Sequence, residues 1–68
     1  MSTAERIRNA RETAGMTQKA LGLALGFSGD YARVSVARWE AGTRPLPIEY
    51  VKPIARQLGL DPLDLLPD

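Results

Sequence analysis

Apolar residues recur along this chain at helical rather than strand spacing, and the residues between them mark where each helix starts and stops. Over residues 3–14, Ile7, Ala10 and Ala14 fall at i, i+3 and i+7. They form an inward stripe of mostly small side chains that lets another helix come close, while Arg6, Arg8, Asn9 and Glu12 lie mostly outside it. Ser2-Thr3-Ala4-Glu5 has the capping-box pattern, with the serine hydroxyl placed on an early amide and Glu5 reaching back, and Gly15 is the C-terminal stop. Thr17 is a good N-cap for a second helix, with Gln18 and Lys19 in its first turn and Gly26 past its end. Leu21, Ala24 and Leu25 supply its buried face, and Met16 inserts into the core just before the cap. Gly22 inside this helix is unfavourable by about 1 kcal/mol relative to alanine, a choice that close packing against a neighbouring helix justifies.

Phe27-Ser28-Gly29-Asp30 interrupts the pattern before a third helix over residues 31–41, stopped by Gly42. Its periodicity turns Ala32, Val36 and Trp39 inward and sets Arg33, Val34, Ala37 and Arg38 on the opposite strip. Trp39 shares the Val36 face and is therefore read as core. Tyr31 and Tyr50 remain open between packing, phosphate contact and neither. Thr43-Arg44-Pro45-Leu46-Pro47 is a loop, and Pro47 suits the first position of a fourth helix that ends at Leu58-Gly59 and adds Ile54 and Leu58 to the core. Pro53 lacks an amide hydrogen and clashes with the preceding turn, so that helix is expected to kink near residues 49–53 or to start late. Asp61-Pro62 reads as N-cap and first position of a last short helix through Leu66.

Sixty-eight residues suffice for one small domain, residues 1–68, and the absence of Cys rules out disulfides and thiolate metal sites. An apolar fraction of 44% is ordinary for a self-supporting core. Below roughly 70–80 residues the stability margin is thin, so a homodimer is expected on that ground alone. No apolar run approaches the roughly 20 residues that a membrane span needs, and MSTAERIRNARE is too polar for a signal peptide, so the expected location is cytoplasmic.

A net charge of +1 says little, but its distribution says more. Residues 1–44 carry Arg6, Arg8, Arg11, Lys19, Arg33, Arg38 and Arg44 against Glu5, Glu12, Asp30 and Glu40, whereas residues 45–68 carry Lys52 and Arg56 against Glu49, Asp61, Asp64 and Asp68. The basic half coincides with two short helices around a Gly/Ser/Asp break, the second apolar on one side and basic on the other. That is the layout of a helix-turn-helix, whose second helix enters the major groove of DNA. There an arginine can donate two hydrogen bonds to guanine O6 and N7, which makes Arg33 and Arg38 the leading candidates for base reading, while Val34 and Ala37 are open between contacting a thymine methyl and only filling space. Thr17 and Gln18 stand where helix amides point outward and favour a phosphate, and Lys19, Thr43 and Arg44 are further phosphate candidates. Without His or Cys the usual general base, thiolate nucleophile and metal ligands are missing, and there is no Walker-type glycine loop; no enzyme activity, metal or cofactor is expected. Asp61 and Asp64 are explained by helix capping and the helix dipole.

Met16-Thr17-Gln18-Lys19-Ala20-Leu21, then Leu25-Gly26, then Arg38-Trp39-Glu40-Ala41-Gly42 and finally Leu58-Gly59-Leu60 with Leu63, Leu65 and Leu66 resemble the lambda-repressor/Cro-type (Xre-like) helix-turn-helix family. The similarity covers essentially residues 5–66. It implies an all-α, compact five-helix domain with the helix-turn-helix formed by helices 2 and 3, binding double-stranded operator DNA as a dimer. It also implies that Arg33, Val34, Ala37 and Arg38 match the base-reading strip, Thr17 and Gln18 a phosphate-contacting helix start, and Arg44 a basic loop position. Arg11 and Glu40 match a structural ion pair tying helix 1 to the end of helix 3.

The chain departs from the family pattern by about four extra residues within 26–32. Two readings are open: a longer loop capped by Asp30, which is favoured because Gly29 is a poor first-turn residue, or a third helix lengthened by a turn from a Ser28 cap. The expected function is a sequence-specific transcriptional regulator, a repressor of prokaryotic or phage type. The alternative is an antitoxin-like or adaptor subunit whose main partner is a protein gripping the acidic, leucine-rich 45–68 segment. Leu60, Leu63, Leu65 and Leu66 exceed what one short helix buries and are candidate dimer contacts.

Overall fold

Ser2 starts the first helix as a capping box: its Oγ accepts from the Glu5 amide at 3.2 Å, and its own amide donates to Glu5 Oε1 at 3.4 Å. The hydrogen bonds from Ser2 hold the Glu5 carboxyl below its ordinary range. In the computed structural model, which describes residues 2–66, this cap opens α1 (Thr3–Thr13). Thr17 Oγ1 accepts from the Ala20 amide at 3.0 Å and opens α2 (Gln18–Ala24). After a five-residue connection, α3 (Asp30–Ala41) follows, then a 3₁₀ turn (Ile48–Tyr50), α4 (Val51–Leu58) and a second 3₁₀ turn (Pro62–Leu65). No strand occurs among the described residues, and none of these helices is long and apolar enough to cross a membrane.

Among the described residues the count of α-helices is four, not the five that the family resemblance implies. Asp61 does cap the last segment, its Oδ1 accepting from the Leu63 amide at 3.0 Å with Pro62 at the first position. The segment closes with i→i+3 bonds as a four-residue 3₁₀ turn, since so short a stretch fixes too many dihedrals for too few α-type bonds. Proline effects also shorten the fourth helix. Pro47 precedes a 3₁₀ turn instead of occupying an α-helical first position, and the α-helix starts late, at Val51. Pro53 thereby falls in its first turn, where amides have no intrahelical partner and the missing hydrogen does no harm.

The loop reading of residues 26–32 describes the connection, with one correction: Asp30 is the first helical residue, and the capping position belongs to Gly29. Gly29 has φ 57° and ψ −142°, a conformation open essentially to glycine, so the helix does not run back to Ser28.

Ile7, Leu21, Val36, Trp39, Val51, Ile54, Ala55 and Leu65 form the core. Met16, Leu25, Phe27, Leu46, Tyr50, Leu58 and Leu60 pack against it partly buried. Two alanines assigned inward, Ala14 and Ala24, are exposed because they stand at helix ends, past the neighbour that covers the rest of each stripe. Leu65, read as a dimer contact, is 1% exposed and is a core residue of its own domain. The second 3₁₀ turn is tied back to α1, with Arg6 Nη1 donating to the Asp64 carbonyl at 3.0 Å and Thr3 Oγ1 to the Leu66 carbonyl at 3.2 Å. Tyr50, left open by the sequence, packs with Phe27 and Trp39 in a trio with ring centroids 5.2–5.9 Å apart.

Candidate nucleic-acid interface

The pair α2 and α3 makes the most extensive helix contact of the fold. Gly22 and Ala32, both buried, are where they meet: a Cβ on Gly22 would stand 2.1 Å from the Ala32 carbonyl oxygen. Only a hydrogen fits between these two backbones. That close approach fixes how α3 crosses α2, and with it the direction in which the outer face of α3 points.

A polar clamp sets the other end of the pair. Arg11 Nε and Nη2 donate to Glu40 Oε2 and Oε1 at 2.6 and 3.0 Å, a bidentate ion pair with side chains 11% and 3% exposed. Arg11 Nη1 donates to the Met16 carbonyl at 2.9 Å. Gln18 Nε2 donates to Glu40 Oε1 at 3.2 Å. The clamp thus joins α1, the connection before α2, the first turn of α2 and the end of α3. The Glu40 hydrogen bonds raise the Arg11 pKa further above its ordinary value.

This arrangement gives Gln18 a structural role beside the phosphate contact expected of it. The sequence offers it no structural duty, whereas its half-buried side chain is committed to Glu40, a contact between residues 22 apart that no local pattern reveals. Thr17 is exposed and its hydroxyl oxygen caps α2. Lys19 is exposed on the same first turn. Thr43 is exposed and donates to the Arg38 carbonyl at 3.3 Å, closing the loop onto α3. Arg44 is exposed and lines a shallow cleft with Ser35, Arg38, Trp39, Pro45 and Pro47, so the loop brings Arg44 beside Arg38.

On α3 itself, Ala32, Val36 and Trp39 are buried, and the far side carries Arg33 and Arg38 exposed with Val34 and Ala37 half-buried between them. Neither guanidinium forms a hydrogen bond or ion pair with another described residue. In contrast to Arg11, both are exposed. A short amphipathic helix, rigidly seated on its neighbour and presenting two unengaged forked cations flanked by small apolar side chains, suits the edges of base pairs in a major groove.

A family model described as helix-turn-helix matches residues 7–65. No curated protein and no solved structure matches the chain.

Proposed function

Because the chain belongs to the lambda-repressor/Cro-type (Xre-like) helix-turn-helix family, we propose that it is a sequence-specific transcriptional regulator whose helix α3 reads the major groove of a two-fold operator and represses by occupying promoter DNA. The observation that carries this reading is the pair of unengaged guanidiniums of Arg33 and Arg38 on the exposed side of a helix whose other side is locked into the core. Arg33 and Arg38 donate to base edges, and Val34 and Ala37 meet thymine methyls. Thr17, through the open amide end of α2, together with Lys19, Thr43 and Arg44, positions the phosphates. Gln18 contributes by holding Glu40 more than by touching DNA. The protein carries out no catalysis in this role and needs no cofactor.

Selection from a pool of randomised duplexes tests the proposal. The expected product is an inverted repeat with half-sites about 34 Å apart, bound with an affinity that falls steeply with salt as phosphate counterions are released. Recovery of duplexes with no shared sequence would refute it.

The two-fold symmetry of such a site calls for a homodimer, for which an exposed apolar groove is the candidate face. Ile48, Leu63 and Leu66 are 72%, 71% and 37% exposed and line one apolar groove with Val51, beside Glu49 and Lys52. Burying a leucine is worth about 1.5–3 kcal/mol and the contact is made twice, so Leu63→Asp is expected to weaken dimerisation about a hundredfold or more. Sedimentation equilibrium checks this. A variant that self-associates like the wild type would place the dimer contact elsewhere, and a tightly co-purifying foreign chain on this groove would favour the adaptor role.

A further inference from the structure

The outward stripe of α3 does not begin at Arg33. Asp30 is the first residue of the helix and precedes Arg33, Val34 and Ala37 by three, four and seven positions, so the helical repeat puts all four on one face, opposite Ala32, Val36 and Trp39. Asp30 is exposed, and its carboxylate makes no hydrogen bond or ion pair with a described residue. Gly29 holds it at the tip: the backbone turn there, with φ 57°, ends the helix at Asp30 and prevents Ser28 from extending the stripe. Tyr31, 73% exposed, follows it around the helix and lies to one side of the stripe.

In a recognition helix the N-terminal residues are those that reach base edges. A carboxylate brought there lies between two rows of phosphates and is repelled by both. It accepts hydrogen bonds but donates none. Of the groups a base pair shows in the major groove, guanine and thymine oxygens and purine N7 repel it. The adenine amino group sits beside N7, whereas the cytosine N4 amino group is a donor that a carboxylate matches. From this we infer that Asp30 is a specificity-determining residue of the DNA-reading face, accepting a hydrogen bond from a cytosine N4 amine and selecting against the other bases at that position. The inference rests on the proposed DNA-binding function and deepens it. An aspartate in a first helical turn also interacts favourably with the helix dipole, but that role alone would move stability and leave base preference untouched.

Randomised-duplex selection with the full chain, its Asp30→Asn variant and its Asp30→Ala variant separates these roles. Asparagine offers the donor and acceptor that suit adenine N6 and N7. Asp30→Asn is expected to replace cytosine by adenine at one position of each half-site, with a change of about tenfold or more in relative affinity between the two bases. Asp30→Ala is expected to flatten that position and leave the others as they were. Both variants alter an exposed side chain with no hydrogen bond, and thermal melts are expected to show them folded. If both bind with the base preferences of the wild type at every position, the inference is overturned while DNA reading by α3 stands. If the wild type itself shows no sequence preference, the inference falls together with the function it rests on.

Discussion

Gly22→Ala is expected to lower the melting temperature by more than about 10 °C, although the same change in an ordinary helix interior stabilises by about 1 kcal/mol. The sign reverses because of what the new methyl would meet. The added Cβ would lie 2.1, 2.4 and 2.5 Å from the carbonyl oxygen, carbonyl carbon and Cα of Ala32, where non-bonded carbon atoms prefer about 3.5–4.0 Å. These are backbone atoms of α3, so no side-chain rotation relieves the overlap and the two helices must part. Parting them opens gaps around Leu21, Val36 and Trp39, which are otherwise 0–6% exposed. Overpacking of this kind costs about 1–3 kcal/mol or more, a large share of the roughly 3–10 kcal/mol that a chain of this length holds in total. Operator affinity is expected to fall further than the unfolded fraction explains, since a tilted α3 no longer presents its outer face squarely. A Gly22→Ala protein melting at or above the wild-type temperature would show that the close approach is not what orders the helix pair.

Arg11→Ala and Glu40→Ala should each destabilise the domain by about 3–5 kcal/mol in urea titrations, because each strands a nearly buried charge. Removing Arg11 leaves the Glu40 carboxylate with the Gln18 amide as its remaining side-chain donor, and the Met16 carbonyl loses its guanidinium. Removing Glu40 leaves both Arg11 and Gln18 without the acceptor that orders them. The double variant Arg11→Met, Glu40→Leu replaces the pair with apolar groups of similar reach and should lose much less than the sum of the single changes. Strictly additive losses would mean that the two side chains do not act as a pair.

The sequence conveys most where the signal is local. The caps at Ser2, Thr17 and Asp61 each need only a hydroxyl or carboxylate a few residues from its amide, and all three form. The inward placement of Ile7, Leu21, Val36, Trp39 and Ile54 follows from helical spacing and is found in the core. What escapes is built from distant residues or from small differences in energy. Phe27 stands in an irregular stretch, and nothing near it announces that it meets Trp39 from the next helix and Tyr50 from a 3₁₀ turn. Gln18 has the composition of a surface residue until Glu40 is brought beside it. The last segment has the cap and proline of an α-helix, and only its length decides for 3₁₀ geometry. For the candidate interface, the strip of Arg33, Val34, Ala37 and Arg38 is legible from periodicity, whereas the membership of Asp30 depends on where the helix begins, which Gly29 decides.

DNA recognition by this chain turns on the outer face of α3 distinguishing bases. Its most direct test is the base preference, position by position, of Arg33→Ala and Arg38→Ala against the duplex selected by the wild type. Each variant is expected to lose about 1–3 kcal/mol of discrimination at its own guanine and to keep the preferences elsewhere, the pattern of a lost bidentate contact. Wild-type preferences retained at every position in both variants, or an affinity loss spread evenly over all sequences, would contradict it.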